Sequence, residues 1–259
     1  MHPVVICDYH GVLVDDEAVH EAAFARVLKD TLSITLTPAL YQKHFCGRWG
    51  REGFRAFLEA EFPEALERVS VDELLDRKQK VYQSIVEPQN VLYAGVEEVL
   101  EELSRSFRLA IVTSTSPGEL MSVLKGHPIL QLFDKTSVIT AENITKGKPD
   151  PEGYLKCLGA LKIVPPEVVE EAVDAQDEPK RLQAVLDEEA VRRIRRQAVA
   201  VEDTPNGIQA VKAAGMRCIA VRHTDPQIAR YGPDKVVDSI RQINTDLVWE
   251  VLGRPPDAT

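Results

Sequence analysis

The sequence predicts an α/β fold, a Rossmann-like doubly wound parallel sheet that carries an inserted helical cap domain. Two observations lead to this prediction. Short apolar runs rich in β-branched residues alternate with helical patterns along most of the chain, as they do in βαβ units. The alternation stops between about residues 17 and 93, where helical patterns follow one another without a convincing strand. A chain of 259 residues is long enough for one core plus such an insertion.

The predicted strands are short apolar runs bounded by charged or turn residues, which is typical of strands buried in a parallel sheet. They cover residues 4–7, 109–113, 137–140, 198–201 and 218–221. Helical patterns that return the chain to the sheet or link the later strands cover residues 96–103, 118–124, 151–161 and 206–214. Residues 1–16 and 94–259 are therefore predicted to form the Rossmann-like core.

Residues 17–93 are predicted to form the helical cap, with amphipathic helices over 18–29, 51–62 and 71–86. A second irregularity is the charged stretch at about 165–197, whose apolar residues recur at helical spacing. They are Leu182, Val185, Leu186 and Ala190. This pattern predicts a solvated helix or helical hairpin with an apolar seam, the alternatives being an oligomer contact or a lid.

Composition limits the possible partners. The net charge of −10, without a basic block, argues against nucleic-acid binding. No apolar stretch has the length of a signal peptide or a membrane span, so we expect a cytoplasmic protein without membrane contacts, either a monomer or a homodimer. The four cysteines lack the paired spacing of a zinc site and are too sparse for a disulfide scaffold, which indicates reduced thiols.

Four polar positions follow predicted strands or lie in the loops beyond them: Asp8, Thr113, Lys148 and the pair Glu202-Asp203. Ligands of open α/β sheets bind at the carboxyl ends of the strands, so these positions are candidates for a site. Singly, each has an ordinary explanation as a helix cap, a strand-end hydroxyl or a surface charge. Together they match the needs of phosphoryl transfer, which requires a nucleophile, positive charge and donors that hold the phosphoryl group.

In that interpretation Asp8 is the nucleophile and forms an aspartyl-phosphate. Asp8 and Asp203 jointly hold Mg²⁺, a cation that favours oxygen ligands. Thr113 donates a hydrogen bond to one phosphoryl oxygen, and Lys148 neutralises another while pairing with the carboxylates.

The segments ICDYHGVLVDDE, LAIVT, GKPDPEGYL and AVEDTPNGIQAVKAAGM resemble, in order, the four motifs of the haloacid dehalogenase (HAD) superfamily. The similarity is greatest to the β-phosphoglucomutase-like subfamily, whose helical cap follows the first strand. It covers nearly the whole chain except about 165–197. The resemblance implies a nucleophilic Asp8, phosphoryl binding by Thr113 and Lys148, and an adjacent substrate-binding residue, Ser114.

The resemblance also implies the metal ligands. These are Asp8, Asp203 and the main-chain carbonyl of His10, with Glu202 supporting the metal shell. Phosphatases and mutases of the family carry a second Asp, the general acid and base, two positions after the nucleophile. This chain has His10 there. An imidazole titrates at about pH 6.5 and is able to do the same work. The alternative is that His10 leaves a slow or inactive enzyme.

The predicted cap carries a second resemblance to the same subfamily in His20, CGRWGREGF and DRKQKVY. It implies that Arg51 and Lys78 bind the distal phosphate of a phosphorylated sugar and that His20 positions the cap and the nucleophile. Arg48 is an alternative to Arg51, because the match needs a shift of one residue. The other interpretation is that Arg51 and Lys78 are solvated helix charges.

These features predict a Mg²⁺-dependent phosphatase that acts on a small phosphorylated metabolite, such as a sugar phosphate. A β-phosphoglucomutase-like isomerase is the first alternative, favoured by His20, Arg51 and Lys78. A catalytically impaired member that binds a phosphometabolite is the second, because His10 replaces the usual Asp.

Overall fold

The computed structural model describes residues 2–46, 48, 50–87, 90–175 and 178–253. Small parts of the predicted core (1, 176, 177 and 254–259) and of the predicted cap (47, 49, 88 and 89) lie outside these ranges. The chain divides into two compact units. One spans Met1–Val14, Leu92–Thr113 and Gly126–Thr259, and the other spans Asp15–Val91 and Ser114–Lys125.

The first unit contains a parallel sheet of six strands in the order β3-β2-β1-β4-β5-β6. The strands are β1 (Val4–Cys7), β2 (Arg108–Val112), β3 (Phe133–Ile139), β4 (Ala198–Glu202), β5 (Arg217–Val221) and β6 (Lys235–Val237). This order is that of a doubly wound sheet, in which the direction of strand addition reverses between β1 and β4. The predicted fold class is confirmed.

The α-helices in the described part of the chain are α1 (Glu17–Leu32), α2 (Pro38–His44), α3 (Gly50–Glu61), α4 (Val71–Val86), α5 (Val96–Ser104), α6 (Pro117–Leu124), α7 (Glu152–Ala160), α8 (Pro166–Asp174), α9 (Pro179–Val185), α10 (Glu188–Gln197), α11 (Pro205–Ala213) and α12 (Thr245–Leu252). Within the first unit, α5 packs on β2 and α12 packs on β4 and β5. α7 packs on β2 and β3, and α11 packs on β4 and β5.

The core of the first unit lies between the strands and α7, α8 and α11. Val4, Ile6, Ala110 and Ala200 of the sheet belong to one buried cluster, together with Leu155 of α7. Because both faces of the central strands are covered, their residues form continuous apolar runs instead of alternating with polar ones. These are the runs that predicted the strands.

The second unit has an aromatic core. Phe24 of α1 packs against Phe45 and Phe54, with ring centroids 4.4 and 4.9 Å apart, and Phe57 lies 5.3 Å from Phe45. These rings are buried among α1, α3 and α4 and the turn after α2. Stacked and edge-on rings contribute about 0.5–1.5 kcal/mol per pair beyond their buried area. The unit therefore has a core of its own.

Among the described elements, the sequence prediction missed α2, α12 and β6. α2 has seven residues and is started by Thr37, whose side chain accepts a hydrogen bond from the Leu40 N–H. β6 has three residues and lies at the edge of the sheet, between Asp234 and Asp238. α2 and β6 are too short to give a periodic pattern.

The predicted single helix or hairpin at 165–197 is wrong, because the structure has three helices there, α8 to α10. A proline begins α9, and Asp187 caps α10 by accepting a hydrogen bond from the Ala190 N–H. The apolar seam is confirmed: Leu182 and Leu186 are buried in the core cluster, and Val185 packs against it. Arg195 and Arg196 lie in the last turn of α10, where positive charge is favourable.

None of the described helices is long and apolar enough to cross a membrane. None of the four cysteines, all of which lie in the described ranges, forms a disulfide, and three of them are buried, in agreement with the predicted reduced thiols. The domain boundaries at residues 16 and 94 stay a prediction.

Candidate active site

The carboxyl ends of β1, β2 and β4 meet at one edge of the sheet. Cys7 of β1 is aligned with Ile111 of β2 on one side and with Val201 of β4 on the other. The next residue, Asp8, donates its N–H to the Val201 carbonyl at 2.9 Å. Strand register therefore brings Asp8, Thr113 and Glu202 to the same edge, as the sequence predicts.

Lys148 lies in the loop before α7 and reaches across this edge. Its Nζ is 2.8 Å from Asp8 Oδ1 and 2.6 Å from Glu202 Oε1, and it donates to the Val112 carbonyl at 3.2 Å. Burial opposes the charged form of Lys148, but the two carboxylates outweigh it and hold its pKa above the ordinary value. The ammonium is therefore a fixed positive charge next to the peptide that joins Val112 to Thr113.

Glu152, at the start of α7, anchors the loop that carries Lys148. Its Oε2 accepts hydrogen bonds from the Thr145 N–H, the Thr145 hydroxyl and the Lys146 N–H, each at 2.9 Å. Its Oε1 pairs with Lys156 at 2.5 Å. A fully buried carboxylate with four such partners fixes the loop and thereby the position of Lys148.

Glu202 is fully buried, and two side chains hold its Oε1. Tyr154 donates its hydroxyl hydrogen to Glu202 Oε1 at 2.5 Å, and Lys148 pairs with the same oxygen. Burial raises the pKa of Glu202, and the ammonium opposes that shift. A Cβ added at Gly207 would overlap the Glu202 carboxylate, so only glycine fits at this point of α11.

Asp203 is the third carboxylate of the cluster. Thr224 donates its hydroxyl hydrogen to Asp203 Oδ2, whereas Asp203 Oδ1 is buried and has no hydrogen-bond partner. Burial raises the pKa of Asp203 well above its ordinary value, and the charges of Asp8 and Glu202 raise it further. An unpaired buried carboxylate oxygen is costly, and this oxygen would be stabilised by a positively charged ligand.

Gly11 brings the main chain of the β1 loop against this carboxylate. Its φ of +74° lies in the left-handed region, and a Cβ there would overlap the Asp203 carboxylate. The Gly11 N–H donates to the Val14 carbonyl at 2.9 Å, and the Gly11 carbonyl accepts from His223 Nδ1 at 2.9 Å. The loop is therefore fixed at both ends of the glycine.

The charges of the site fit a divalent cation. Asp8, Glu202 and Asp203 each offer a carboxylate oxygen within 4.8 Å of the others, and all three are buried. When all three carboxylates are ionised, the Lys148 ammonium offsets only one of their three negative charges. Carboxylate oxygens are the ligands that Mg²⁺ prefers. The donor set, the residual charge and the unpaired Asp203 Oδ1 all agree with the predicted Mg²⁺.

His10 is half-buried in the same loop. Its ring lies edge-on to that of Tyr9, with centroids 4.8 Å apart. A bridge between His10 and Val14, together with hydrogen bonds from the Leu13 and Val14 N–H groups to the Tyr9 carbonyl, closes a tight turn after Asp8. The turn fixes the backbone of His10 two positions from the nucleophile.

Two predicted substrate ligands, His20 and Lys78, meet in the interior of the second unit. Lys78 Nζ lies 2.6 Å from His20 Nδ1 and 2.9 Å from Glu119 Oε1. Because an ammonium only donates, His20 Nδ1 accepts, and the ring proton lies on Nε2, 3.3 Å from Asp16 Oδ2. Tyr82 stacks on His20 and donates to the same Asp16 oxygen. The structure thus places the Lys78 ammonium in a buried ion pair.

The other two predicted substrate ligands also lie in the second unit. Arg51, in the first turn of α3, pairs with Asp72 and is partly exposed. Ser114 follows Thr113 directly and precedes the N-cap of α6, Ser116. The substrate-binding roles of these four residues stay predictions.

Sequence reasoning missed three residues that hold the site. Tyr154 and Glu152 lie in GKPDPEGYL, the segment that drew attention to Lys148, yet nothing in the sequence shows that they contact Glu202 and the loop. Thr224 lies in the loop after β5, outside the four motifs, and no sequence pattern pointed to it.

This chain is similar to known phosphatases over most of its length. A relative named validoxylamine A 7′-phosphate phosphatase, from Streptomyces hygroscopicus subsp. limoneus, is 27% identical over 98% of this chain and 99% of its own. A phosphorylated carbohydrates phosphatase from Thermotoga maritima is 28% identical over 83% and 82%. The crystal structure of β-phosphoglucomutase from Clostridium difficile has the same fold, with a TM-score of 0.73, 19% identity and 98% coverage of both chains.

The sequence model of the haloacid dehalogenase-like hydrolase family matches residues 5–170. This segment begins in β1 and includes Asp8, Thr113 and Lys148. The predicted resemblance to this superfamily and to its β-phosphoglucomutase-like members is confirmed. Since the match spans well over half of the chain, the protein belongs to the haloacid dehalogenase-like hydrolase family.

Proposed function

We propose that the protein is a Mg²⁺-dependent phosphatase that hydrolyses a small phosphorylated carbohydrate through a phosphoryl group carried on Asp8. The observation that carries the proposal is the bridge made by Lys148. Its ammonium pairs with Asp8 at 2.8 Å and with Glu202 at 2.6 Å, next to an Asp203 oxygen that has no partner. A carboxylate nucleophile, a fixed cation and an incomplete set of oxygen ligands are the components that phosphoryl transfer requires.

Asp8, Asp203 and the main-chain carbonyl of His10 would hold the Mg²⁺, with Glu202 supporting them from behind. When bound, the cation offsets the repulsion between the Asp8 carboxylate and an anionic phosphate. The fixed turn after Asp8 sets the direction of the His10 carbonyl, and Thr224 holds one oxygen of Asp203. The ligand groups are therefore largely prearranged.

The residues of the chain then perform two transfers. In the first, Asp8 attacks phosphorus, the bond from phosphorus to the ester oxygen breaks, and that oxygen takes a proton from His10. In the second, water attacks the phosphoryl group on Asp8, His10 takes a proton from the water, and the Asp8 carboxylate is restored. Lys148 and Thr113 hold the oxygens of the phosphoryl group throughout, which is the largest contribution that such a site makes.

The proposed substrate class rests on the two phosphatase relatives. One is named for validoxylamine A 7′-phosphate and the other for phosphorylated carbohydrates. Arg51, His20, Lys78 and Ser114 are the residues we propose for substrate selection. The Lys78 ammonium is already neutralised by Glu119. We therefore propose that Lys78 positions the other residues more than it binds phosphate directly.

A panel of sugar phosphates, assayed for release of inorganic phosphate with MgCl₂ and with EDTA, tests the proposal. We expect release that requires Mg²⁺ and that falls by several orders of magnitude in Asp8→Asn, which keeps the shape of the side chain but removes its charge. Full activity in Asp8→Asn would remove the aspartyl-phosphate. Isomerisation of a sugar phosphate without net phosphate release would favour the mutase instead, and saturable binding without turnover would favour the impaired member.

A further inference from the structure

The loop that follows β5 contacts the acidic cluster through two side chains, although it lies outside the four family motifs. We propose that His223 and Thr224 of this loop are positioning residues of the cation site, which fix the Asp203 carboxylate against the main chain of the β1 loop. The inference rests on the cation site of the proposed function and adds to it the groups that orient its ligands.

Thr224 determines which oxygen of Asp203 is available. Its hydroxyl donates to Oδ2, whereas Oδ1 remains buried and without a hydrogen-bond partner. A carboxylate with one oxygen held in this way cannot rotate freely, so Oδ1 has a fixed direction. Thr224 itself is exposed, so it acts on the cluster through the hydrogen bond of its hydroxyl and not through packing.

His223 fixes the main chain that packs against the same carboxylate. Its Nδ1 lies 2.9 Å from the Gly11 carbonyl oxygen. Because a carbonyl oxygen only accepts, Nδ1 carries the ring proton and donates it. The ring also stacks on Tyr93, with centroids 4.0 Å apart. The hydrogen bond anchors Gly11, whose Cα leaves no room for a Cβ beside the Asp203 carboxylate.

The two contacts act together on the geometry of the ligands. Thr224 holds Asp203 from one side, and His223 holds the Gly11 backbone that packs against Asp203. The His10 carbonyl, a proposed cation ligand, belongs to the peptide that joins His10 to Gly11. A single loop therefore sets the relative position of two proposed ligands. Outer groups of this kind typically change metal affinity or activity by about 10–100-fold when they are removed.

Calorimetric titration of the full chain with MgCl₂ alone tests the proposal. We expect Thr224→Val, which keeps the shape of the side chain but has no hydroxyl, to bind Mg²⁺ about 10–100-fold more weakly. Thr224→Ser keeps the hydroxyl and should restore the affinity. His223→Phe keeps a ring that stacks on Tyr93 but has no donor, and should also weaken binding.

Thr136→Val is the matched control. Thr136 is exposed and lies outside the acidic cluster, and its hydroxyl donates to Asp134 at 2.7 Å. Thr136→Val removes this hydroxyl and should bind Mg²⁺ like the wild type. Melting temperatures measured in EDTA check that each variant is folded. Unchanged Mg²⁺ affinity in Thr224→Val and His223→Phe would overturn this inference but not the proposed cation site. Tighter binding by Thr224→Val would also overturn it, because the hydroxyl would then compete with the cation. Absence of Mg²⁺ binding by the wild type would overturn the proposed cation site as well.

Discussion

The hydroxyl of Tyr154 lies 2.5 Å from Glu202 Oε1, the oxygen that also pairs with Lys148. Both residues are fully buried, and Lys148 lies over the Tyr154 ring at 5.4 Å. Tyr154 therefore supports the carboxylate and the ammonium of the site at once. Burial and the Glu202 carboxylate raise the pKa of Tyr154 well above its ordinary value, so the hydroxyl remains a donor.

Tyr154→Phe should lower both stability and activity. The change leaves Glu202 without one of its donors, and hydrogen bonds to charged groups contribute about 1.5–3 kcal/mol to the free energy of unfolding. The phosphatase rate should also fall, since Glu202 and Lys148 lose part of their support. Urea denaturation and phosphate release measure the two effects.

Tyr41→Phe is the matched control for Tyr154→Phe. Tyr41 is a buried tyrosine in the second unit that donates to Glu17 at 2.8 Å. Tyr41→Phe should lose stability for the same reason but should keep the rate of phosphate release per folded molecule. Equal losses of rate in the two variants would show that Tyr154 has only a structural role.

Gly11 and Gly126 provide a second comparison. Both have φ in the left-handed region, at +74° and +82°, so alanine costs each of them about 1–2 kcal/mol in backbone strain. A Cβ at Gly126 would meet nothing within 4 Å, whereas at Gly11 it would overlap the Asp203 carboxylate. We expect Gly11→Ala to lower the melting temperature more than Gly126→Ala does, because of this overlap, and to lose the Mg²⁺ binding that Gly126→Ala keeps. Calorimetry and thermal melts decide between this outcome and equal Mg²⁺ affinities.

The buried pair in the second unit predicts a pH dependence of stability. Burial alone would raise the pKa of Glu119, but the Lys78 ammonium and the hydrogen bond from Thr115 outweigh it and lower the pKa of Glu119 to about 2. An unfolded Glu has a pKa of about 4.3. The folded state thus favours the ionised form, so this contribution is fully present above about pH 4.3 and is lost as the pH falls toward 2.

The loss should be on the order of 3 kcal/mol in the free energy of unfolding. Glu119→Gln removes the titrating group, so the free energy of unfolding should fall less steeply in this variant than in the wild type between pH 5 and 2. Glu119→Gln should also be less stable at neutral pH, because it leaves Lys78 as a buried charge without its carboxylate. Urea denaturation over this pH range measures both effects, and parallel pH profiles would contradict the assignment.

The main features of the fold and the central site residues could be predicted because they depend on one physical rule. Parallel strands bury apolar runs and expose their carboxyl ends at one edge, so Asp8, Thr113 and Glu202 could be grouped before their distances were known. Lys148 could be added to this group because its loop was expected beyond the same edge of the sheet. The prediction failed where elements are very short, as in β6, or where a proline divides a helical pattern, as in 165–197.

The groups that hold the site could not be predicted, because their contacts join distant parts of the chain. Tyr154 precedes Glu202 by 48 positions, and Thr224 follows Asp203 by 21. Lys78 presents the same difficulty in the second unit, where its partner Glu119 lies 41 positions away. A sequence pattern can suggest that a lysine binds phosphate, but only the fold shows which carboxylate already neutralises it.

His10 distinguishes this chain from the family pattern, and three variants decide its role. If the imidazole is the general acid and base, His10→Ala should lower the rate by the 10²–10⁴-fold that such catalysis typically contributes. His10→Asp should then give little gain. The backbone turn after Asp8 is closed by Leu13, Val14 and Tyr9 main-chain groups, so both variants should keep the loop and fold normally.

The opposite outcome is equally clear. If His10 does not act as the general acid and base, His10→Ala should leave the rate unchanged, and His10→Asp should raise it by about 10²–10⁴-fold. His10→Gln separates hydrogen bonding from proton transfer, because its amide donates and accepts hydrogen bonds but does not titrate. Phosphate release with saturating MgCl₂, compared at equal amounts of folded protein, gives the rates. A rate in His10→Gln equal to that of the wild type would exclude proton transfer by His10, whereas a loss as large as in His10→Ala would support it.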